Sequence, residues 1–410
     1  MTLIVKKFGG SSVATPEKIL NVAKRVVNEK KPGDKVVVVV SAMGDTTDDL
    51  ISLAKDVVGN SDINDKMYSR EMDMLLATGE QVSIALLAMA FKVLGQKSMS
   101  MTGWQAGITT NEMHNKAKIK DINPERVFKE LEEGSVVIIA GFQGNTDDGD
   151  ITTLGRGGSD TTAVAIAAAL NAEVCEIYTD VDGIYTTDPR IVKDARRMKE
   201  ITYNEMLELA RLGAGVMHPR SVELGKHYGI PIHVRSTFTS DNGTIIGEEY
   251  TNTMEEKEFV IRGVTNDMNV AKVAALGVPD KPGIAFKIFS ALASKFIDVD
   301  MIIQSVRNPD EHMIDMVFTI KKEDIAQTKE TLQDLGLNMS IDENVSKVSV
   351  VGVGMLGSPG IAATVFGALA DADINIEAIS TSEISISCLV SADKAKDAVK
   401  VIHDKFFPNN

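Results

Sequence analysis

The chain has 410 residues, 44% hydrophobic and 25% charged, with a formal net charge of -15 at pH 7; that fits two or three globular domains with cores of their own and excludes a single-core chain. The acidic balance argues against nucleic acid or an anionic membrane surface as a partner, so any anionic ligand must be held by a few placed cations. Two cysteines, Cys175 and Cys388, form neither a disulfide framework nor a metal-ligand pattern and suit a reducing cytoplasm. Apolar runs such as Val36–Val40 fall far short of the ~18 residues of a membrane span, and no signal peptide precedes the first strand, so the expected location is the cytoplasm.

Leu3–Val5 reads as a buried strand, Lys6–Ser12 (K-K-F-G-G-S-S) as the turn after it, and Pro16–Glu29 as a helix. Strand, glycine turn and helix in that order can present backbone amides to a phosphate. The lysine precedes the glycines, so this is not the G-x-x-x-x-G-K-[ST] loop. Lys7 stands either beside those amides or, on the plainer reading, on the surface next to a turn. Lys35–Ser41 is apolar on both faces, as strands inside a parallel sheet are, and a helix follows from about Asp48. Asp65–Leu76 and Gly79–Leu94 both have helical spacing, the second opening T-G-E-Q-V-S. Glu80 then falls in a first turn, where an acidic side chain offsets the helix dipole unless a cationic ligand engages it.

Gln96–Met101 and Val136–Ala140 are further strands, and the second leads through G-F-Q-G to T-T-L-G-R-G-G-S-D-T-T, Thr152–Thr162. Three glycines, an arginine and an aspartate ahead of a small-residue helix from Thr161 make a candidate anion cradle; a plain strand-to-helix turn is the other reading. The strand Glu173–Tyr178 and the loop T-D-V-D-G-I-Y-T-T-D-P-R follow. Alternating strands and helices predict a mostly parallel central sheet with helices on both faces, and ligands gather at the carboxyl edge of such a sheet.

Six stretches in this order, K-F-G-G-S-S, V-S-A-M-G-D-T-T-D, L-L-A-T-G-E-Q-V-S, G-F-Q-G, T-T-L-G-R-G-G-S-D-T-T-A and Y-T-D-V-D-G-I-Y-T-T-D-P-R, resemble the aspartate kinase branch of the amino acid kinase superfamily, over nearly the whole chain. The resemblance implies transfer of the ATP γ-phosphoryl group to the side-chain carboxylate of L-aspartate, giving 4-phospho-L-aspartate, with Mg2+ carried by the nucleotide and no resident metal. It implies Lys7 as the cation at the transferring group and Asp160 as its organiser. Arg156 would grip the substrate α-carboxylate, Thr47 and Glu80 its amino group, and Gly157, Gly158 and Ser159 would supply amides. Lys7, Phe8, Gly9, Gly10, Ser41, Thr179, Asp180, Tyr185 and Arg190 match the nucleotide side. Where some relatives carry a nucleotide-contacting lysine, this chain has Gly215 in G-A-G-V-M-H-P; His218 reads as structural. Another acyl-phosphate-forming kinase, such as one acting on glutamate, and a sensor built on a degenerate kinase are the competing readings.

The catalytic part is expected over residues 1–245, and a polar, acidic linker with one strand over 246–263. Beyond it K-P-G-I-A-F-K-I-F-S-A-L-A from Lys281 recurs as S-P-G-I-A-A-T-V-F-G-A-L-A from Ser358, two copies of one ferredoxin-like α+β unit, over 264–342 and 343–410. The second copy lacks its last strand, which Phe259–Ile261 would supply, so the first copy is expected to be inserted within the second. Gly352, Gly354 and Gly357 spell a dinucleotide fingerprint, but the other copy lacks it and it reads as a repeat turn. The pair resembles ACT domains, which implies effector sites at Asp280, Lys281, Pro282, Gly283, Ile284, Ala285 and Gln304, and at Asn375, Ile376 and Thr381. Feedback by lysine, threonine or both is implied, because the acyl phosphate heads the synthesis of lysine, threonine and methionine. So is a homo-oligomer paired through ACT sheets, or a separate regulatory subunit started at Met254 or Met268, as in some relatives.

Overall fold

Val36–Val40 are all buried, and a strand apolar on both faces can only lie inside a covered sheet. A computed structural model of the chain describes residues 2–59, 63, 65–248, 260–306, 313–353, 355 and 360–408. The described residues of Met1–Ile184, Arg197–Ala210 and Gly215–Met254 form one compact unit, and those of Tyr185–Arg196, Arg211–Ala214 and Glu255–Asn410 the other. The stretch 1–245 is thus interrupted twice.

In the first unit, β1 (Leu3–Phe8) is followed by α1 (Pro16–Glu29), β2 (Lys35–Val40), α2 (Thr46–Val58), α3 (Ser69–Val93), β3 (Ser98–Met101), β4 (Ile108–Thr110), β5 (Ile119–Ile122), α4 (Glu125–Glu132) and β6 (Val136–Ala140). Then come β7 (Gln143–Asn145), β8 (Ile151–Thr153), α5 (Gly158–Ala169), β9 (Val174–Thr179), β10 (Glu200–Thr202), α6 (Tyr203–Arg211), α7 (Pro219–Tyr228), β11 (Ile232–Ser236) and β12 (Thr244–Gly247). The main sheet runs β10-β12-β11-β9-β1-β2-β6-β3, and β11, β9, β1, β2, β6 and β3 pair in parallel, so their carboxyl ends share one edge. Four short strands, β5-β4-β7-β8, make a second sheet that the sequence did not announce.

Two expectations change here. The two helices expected over 65–94 are one 25-residue helix, α3. Gly79, read as the first residue of the second helix, lies inside α3 instead, where Ala42 comes close: a Cβ there would lie 2.9 Å from that of Ala42. Together with the turn before it, α3 is long and apolar enough by composition to cross a membrane, contrary to the expectation that no stretch would be. Its apolar side packs on α1, β3, β6 and β8, and it buries Asp73 and Glu80.

Successive side chains of β1 alternate faces, so Lys6 and Lys7 part company. Lys6 donates to Glu29 Oε2 and Glu176 Oε2, each at 2.6 Å, and to the Tyr178 hydroxyl at 3.2 Å. Tyr178 stacks on Phe8 with centroids 4.5 Å apart. Against the burial that would raise it, Lys6 and Arg25 hold the Glu29 carboxyl down at about 2. A depressed carboxylate stabilises fully above the unfolded value of 4.5, and that contribution is lost as pH falls through 2. Glu29→Gln is therefore expected to lower stability by about 1–2 kcal/mol at pH 7, with the gap to the parent shrinking as urea midpoints are taken from pH 5 to pH 3. A gap that stays constant over that range would remove this account.

The second unit holds β13 (Val260–Asp267), β14 (Ala271–Pro279), α8 (Ile284–Ser294), β15 (Asp300–Val306), β16 (Met313–Ile320), α9 (Ile325–Asp334), β17 (Asn338–Asp342), β18 (Val345–Val353), α10 (Ile361–Asp371), β19 (Ala378–Thr381), β20 (Ser385–Ser391) and α11 (Ala395–Phe406). They make two four-stranded sheets, β15-β16-β14-β17 and β13-β18-β20-β19. β13 precedes the first copy in the chain yet pairs antiparallel with β18 of the second sheet. Phe259, most of the linker after residue 248, Ser358, Gly354 and Gly357 lie outside the described residues. The two copies meet across Val270, Met301, Val345, Ala378 and Leu389, with Ile303 packed against them. Both cysteines are buried thiols, one in each unit.

Candidate active site

At the carboxyl edge of the main sheet a cavity of about 290 Å³ opens among the ends of β1, β2 and β6, the middle of α3 and the start of α5; Lys7, Gly10, Ser41, Thr47, Glu80, Arg156, Gly157, Gly158, Ser159 and Asp160 all line it. Lys7, the seventh residue of the chain, is placed by the register of β1, whose last residues pair with Val39 and Val40 on one side and with Ile177 and Tyr178 on the other. Its Nζ lies 2.5 Å from Asp160 Oδ1 as an ion pair, while that oxygen makes no aligned hydrogen bond among the described residues. Both groups are mostly buried. Asp160 is not the N-cap of α5: Gly157 holds that position with φ +70, and the helix begins at Gly158, three residues earlier than expected. Asp160 therefore sits in the first turn, where its charge favours the helix dipole and faces Lys7.

Glu80 occupies the middle of α3, not the first turn of a helix, so dipole compensation does not explain it. The Ala42 N–H donates to its Oε1 at 3.1 Å, and Oε2 has no partner among the described residues. Burial pushes the carboxyl up to about 8, the Ala42 hydrogen bond drawing it only partly back. A buried carboxyl with one unsatisfied oxygen on a cavity wall can accept a hydrogen bond from a cation that enters the cavity.

The glycine run is shaped from below. A Cβ on Gly157 would lie 2.4 Å from the His218 side chain, and one on Gly155, at φ +75, would lie 2.8 Å from the Asn115 carbonyl oxygen. His218 caps α7, its Nδ1 accepting from the Arg220 N–H at 3.3 Å, and burial lowers its pKa. Arg220 donates to the Leu154 and Ala117 carbonyls at 3.1 and 2.9 Å. It is thus spent on the loop and does not stand in for the charge missing at Gly215, beside which the space is open. Exposed Arg156 projects between these two constrained glycines.

Of the other residues expected at the nucleotide, Phe8 is buried in the core, and Gly9 lies next to Lys7 Nζ without lining the cavity. The Thr179 hydroxyl donates to Asp180 Oδ1, at the end of β9. Tyr185 and Arg190 belong to the second unit, where Arg190 pairs with Asp188 at 2.7 Å. Ala42, Gly44, Phe142 and Gly155 also line the cavity; the loops S-A-M-G and G-F-Q-G pointed to them, but their side chains carry no chemistry by which to single them out.

In the second unit Asp280–Gly283 form an exposed turn before α8, whose N-cap is Gly283 at φ +91, while Ile284 and Ala285 tuck against the core. Gln304 is exposed on the edge strand β15; Asn375 and Thr381 are exposed, with Ile376 half-buried, around the edge strand β19. Lys272 pairs with Glu377, and Lys347 with Asp300, across the two copies.

The sequence profile of the amino acid kinase family matches residues 2–236, and profiles of the ACT domain match 273–337 and 348–406. An aspartokinase of Geobacillus stearothermophilus is 51% identical over 407 residues, covering 99% of this chain and 97% of that protein. The crystal structure of E. coli aspartokinase III in complex with aspartate and ADP, an R-state form, is similar with a TM-score of 0.83 at 26% identity over 99% of this chain and 100% of that one. The T-state structure of the same enzyme with lysine and aspartate is similar at 0.76 and 26% identity, covering 99% of each chain.

Proposed function

The chain belongs to the aspartokinase family, and from that premise we propose that its cavity transfers the ATP γ-phosphoryl group to the side-chain carboxylate of L-aspartate. The observation that carries this reading is the pairing of two opposite devices in one 290 Å³ space: a buried cation, Lys7 on Asp160, and a buried acid, Glu80, with Arg156 alongside. Aspartate has an ammonium for Glu80 and Thr47, an α-carboxylate for the planar fork of Arg156, and a second carboxylate left to react.

That carboxylate is ionised at neutral pH, so the nucleophile needs no general base; one of its oxygens bonds to phosphorus as the bond to the ADP oxygen breaks. The obstacle is anion approaching anion. Lys7 and the amides of Gly157, Gly158 and Ser159 lower it by facing the oxygens on which charge gathers. Magnesium carried by the nucleotide would supply further neutralisation of the phosphate charge. Gly9, Gly10, Ser41, Thr179 and Asp180 belong to the nucleotide side on this reading.

Lysine, threonine or both acting through the ACT copies would regulate the reaction from the turn at Asp280–Ala285, Gln304, and Asn375, Ile376 and Thr381. A cytoplasmic homo-oligomer is the assembly this reading expects. ADP release measured with aspartate, glutamate and N-acetylglutamate tests it: aspartate should exceed the others by at least about a hundredfold in kcat/KM. Equal or better turnover of glutamate would overturn the substrate, and loss of ADP release with all three would overturn the reaction. The same assay with lysine and threonine, singly and together, assigns the effector.

A further inference from the structure

We propose that Asp73 is a positioning residue for Arg156, so that α3 fixes both ends of the bound amino acid. Asp73 is wholly buried. Its carboxylate accepts from the Thr153 hydroxyl at 2.5 Å, from His114 Nδ1 at 2.7 Å, and from the Asn115 N–H at 3.1 Å to each oxygen. Three donors on one buried carboxylate make it an anchor that costs dearly to loosen. It takes no part in the proposed chemistry and does not line the cavity.

Those donors lead to the arginine. Asn115 holds a left-handed backbone, φ +63, which asparagine adopts more readily than other non-glycine residues, and here its N–H is pinned by the Asp73 carboxylate. Its carbonyl is the wall against which Gly155 sits. The Ala117 N–H donates to the Thr153 carbonyl at 2.9 Å, and Arg220 ties the Ala117 and Leu154 carbonyls together. Residues 115–117 and 153–155 are therefore one braced unit, and Arg156 is the next residue of the chain. Among the described residues, Asp73 is the carboxylate whose hydrogen bonds join this brace to α3. Seven residues on, and so on the same face two turns away, α3 presents Glu80 to the cavity. One rigid helix thus sets the spacing between the site for the ammonium and the site for the α-carboxylate.

The inference rests on the reading of Arg156 as the α-carboxylate grip. The test is steady-state kinetics on the full-length chain, with β-alanine, which is aspartate without its α-carboxylate, as a competitive inhibitor. Asp73→Ala should raise the aspartate KM by about tenfold to a hundredfold while the ATP KM and the β-alanine inhibition constant move by less than about twofold. Asp73→Asn, which keeps the shape and one acceptor, should recover part of the loss. If Asp73→Ala does not fold, Thr153→Val removes one of the three donors and should show the same asymmetry at about threefold. A parallel rise for aspartate, ATP and β-alanine, or no rise at all, would overturn the proposal. Arg156→Ala is the control: if it weakens β-alanine as much as aspartate, the reading of Arg156 fails and this inference falls with it; if Arg156→Ala discriminates and Asp73→Ala does not, only the inference fails.

Discussion

Lys7→Ala should lower kcat for ADP release by about a thousandfold or more, the largest effect expected of any single substitution in this chain. Two charges change for the worse at once. The cation facing the transferring group disappears, and Asp160, whose Oδ1 it approaches to 2.5 Å, is left as an uncompensated anion in a half-closed site, repelling both nucleotide and acceptor. Asp160→Asn keeps the side-chain shape and leaves the lysine charged, so its loss should be smaller, by about tenfold or more. Because Lys7 lies at the end of a strand paired on both sides, the fold should survive, which far-ultraviolet circular dichroism can check. Turnover within tenfold of the parent in a folded Lys7→Ala protein would remove this residue from the mechanism.

Glu80→Gln should raise the aspartate KM by about thirtyfold or more and abolish its pH dependence. With its carboxyl pushed up to about 8 by burial, the empty protein holds Glu80 neutral at pH 7, whereas the substrate ammonium selects the ionised form. Binding should therefore release a proton. The aspartate KM of the parent should fall as pH rises from 6 to 8, by at most tenfold per unit, and level off above 8. The linkage to folding has the opposite sign: a carboxyl raised in the native state is fully compatible with it below the unfolded value of 4.5, and that stability is lost as pH rises through 8. Glutamine stays neutral and retains an acceptor for the Ala42 N–H, so the empty variant should be relatively more stable at pH 9. Calorimetry of aspartate binding in two buffers of different ionisation enthalpy measures the proton; equal heats at pH 7 would contradict the account.

Much of this was legible because the signals were local. The valine run, the helix Pro16–Glu29 with its proline at the first position, the strand Val136–Ala140 and the repeat of P-G-I-A each carry their conformation in adjacent residues, and each element is present. The helix α3 was misread for a physical reason: Gly79 breaks helices in isolation, and only the approach of Ala42, 37 residues earlier in the chain, makes a glycine necessary there. The same error hid the environment of Glu80. The anchor at Asp73 was invisible because its donors lie about 40 and 80 residues away, and nothing in their spacing foretells the meeting. Short strands such as β4, β7 and β8, three residues each, are too brief to show an alternation. The loop after Tyr178 was read as one nucleotide element, yet Ile184 and Tyr185 fall in different units, a division that contiguity in the chain conceals.

The pairing of β13 with β18 separates the two candidate starts for a shorter product. A polypeptide begun at Met268 would start beyond the last residue of β13, Asp267, and leave the seven-partner edge of β18, from Lys347 to Val353, bare to solvent and ready to capture a foreign strand. One begun at Met254 would bring its own complement to that edge. Translation from the later methionine would thus yield an aggregating or domain-swapped fragment, and translation from the earlier one a pair of sheets with that edge paired, though without Ile191 and Val192 of the same core.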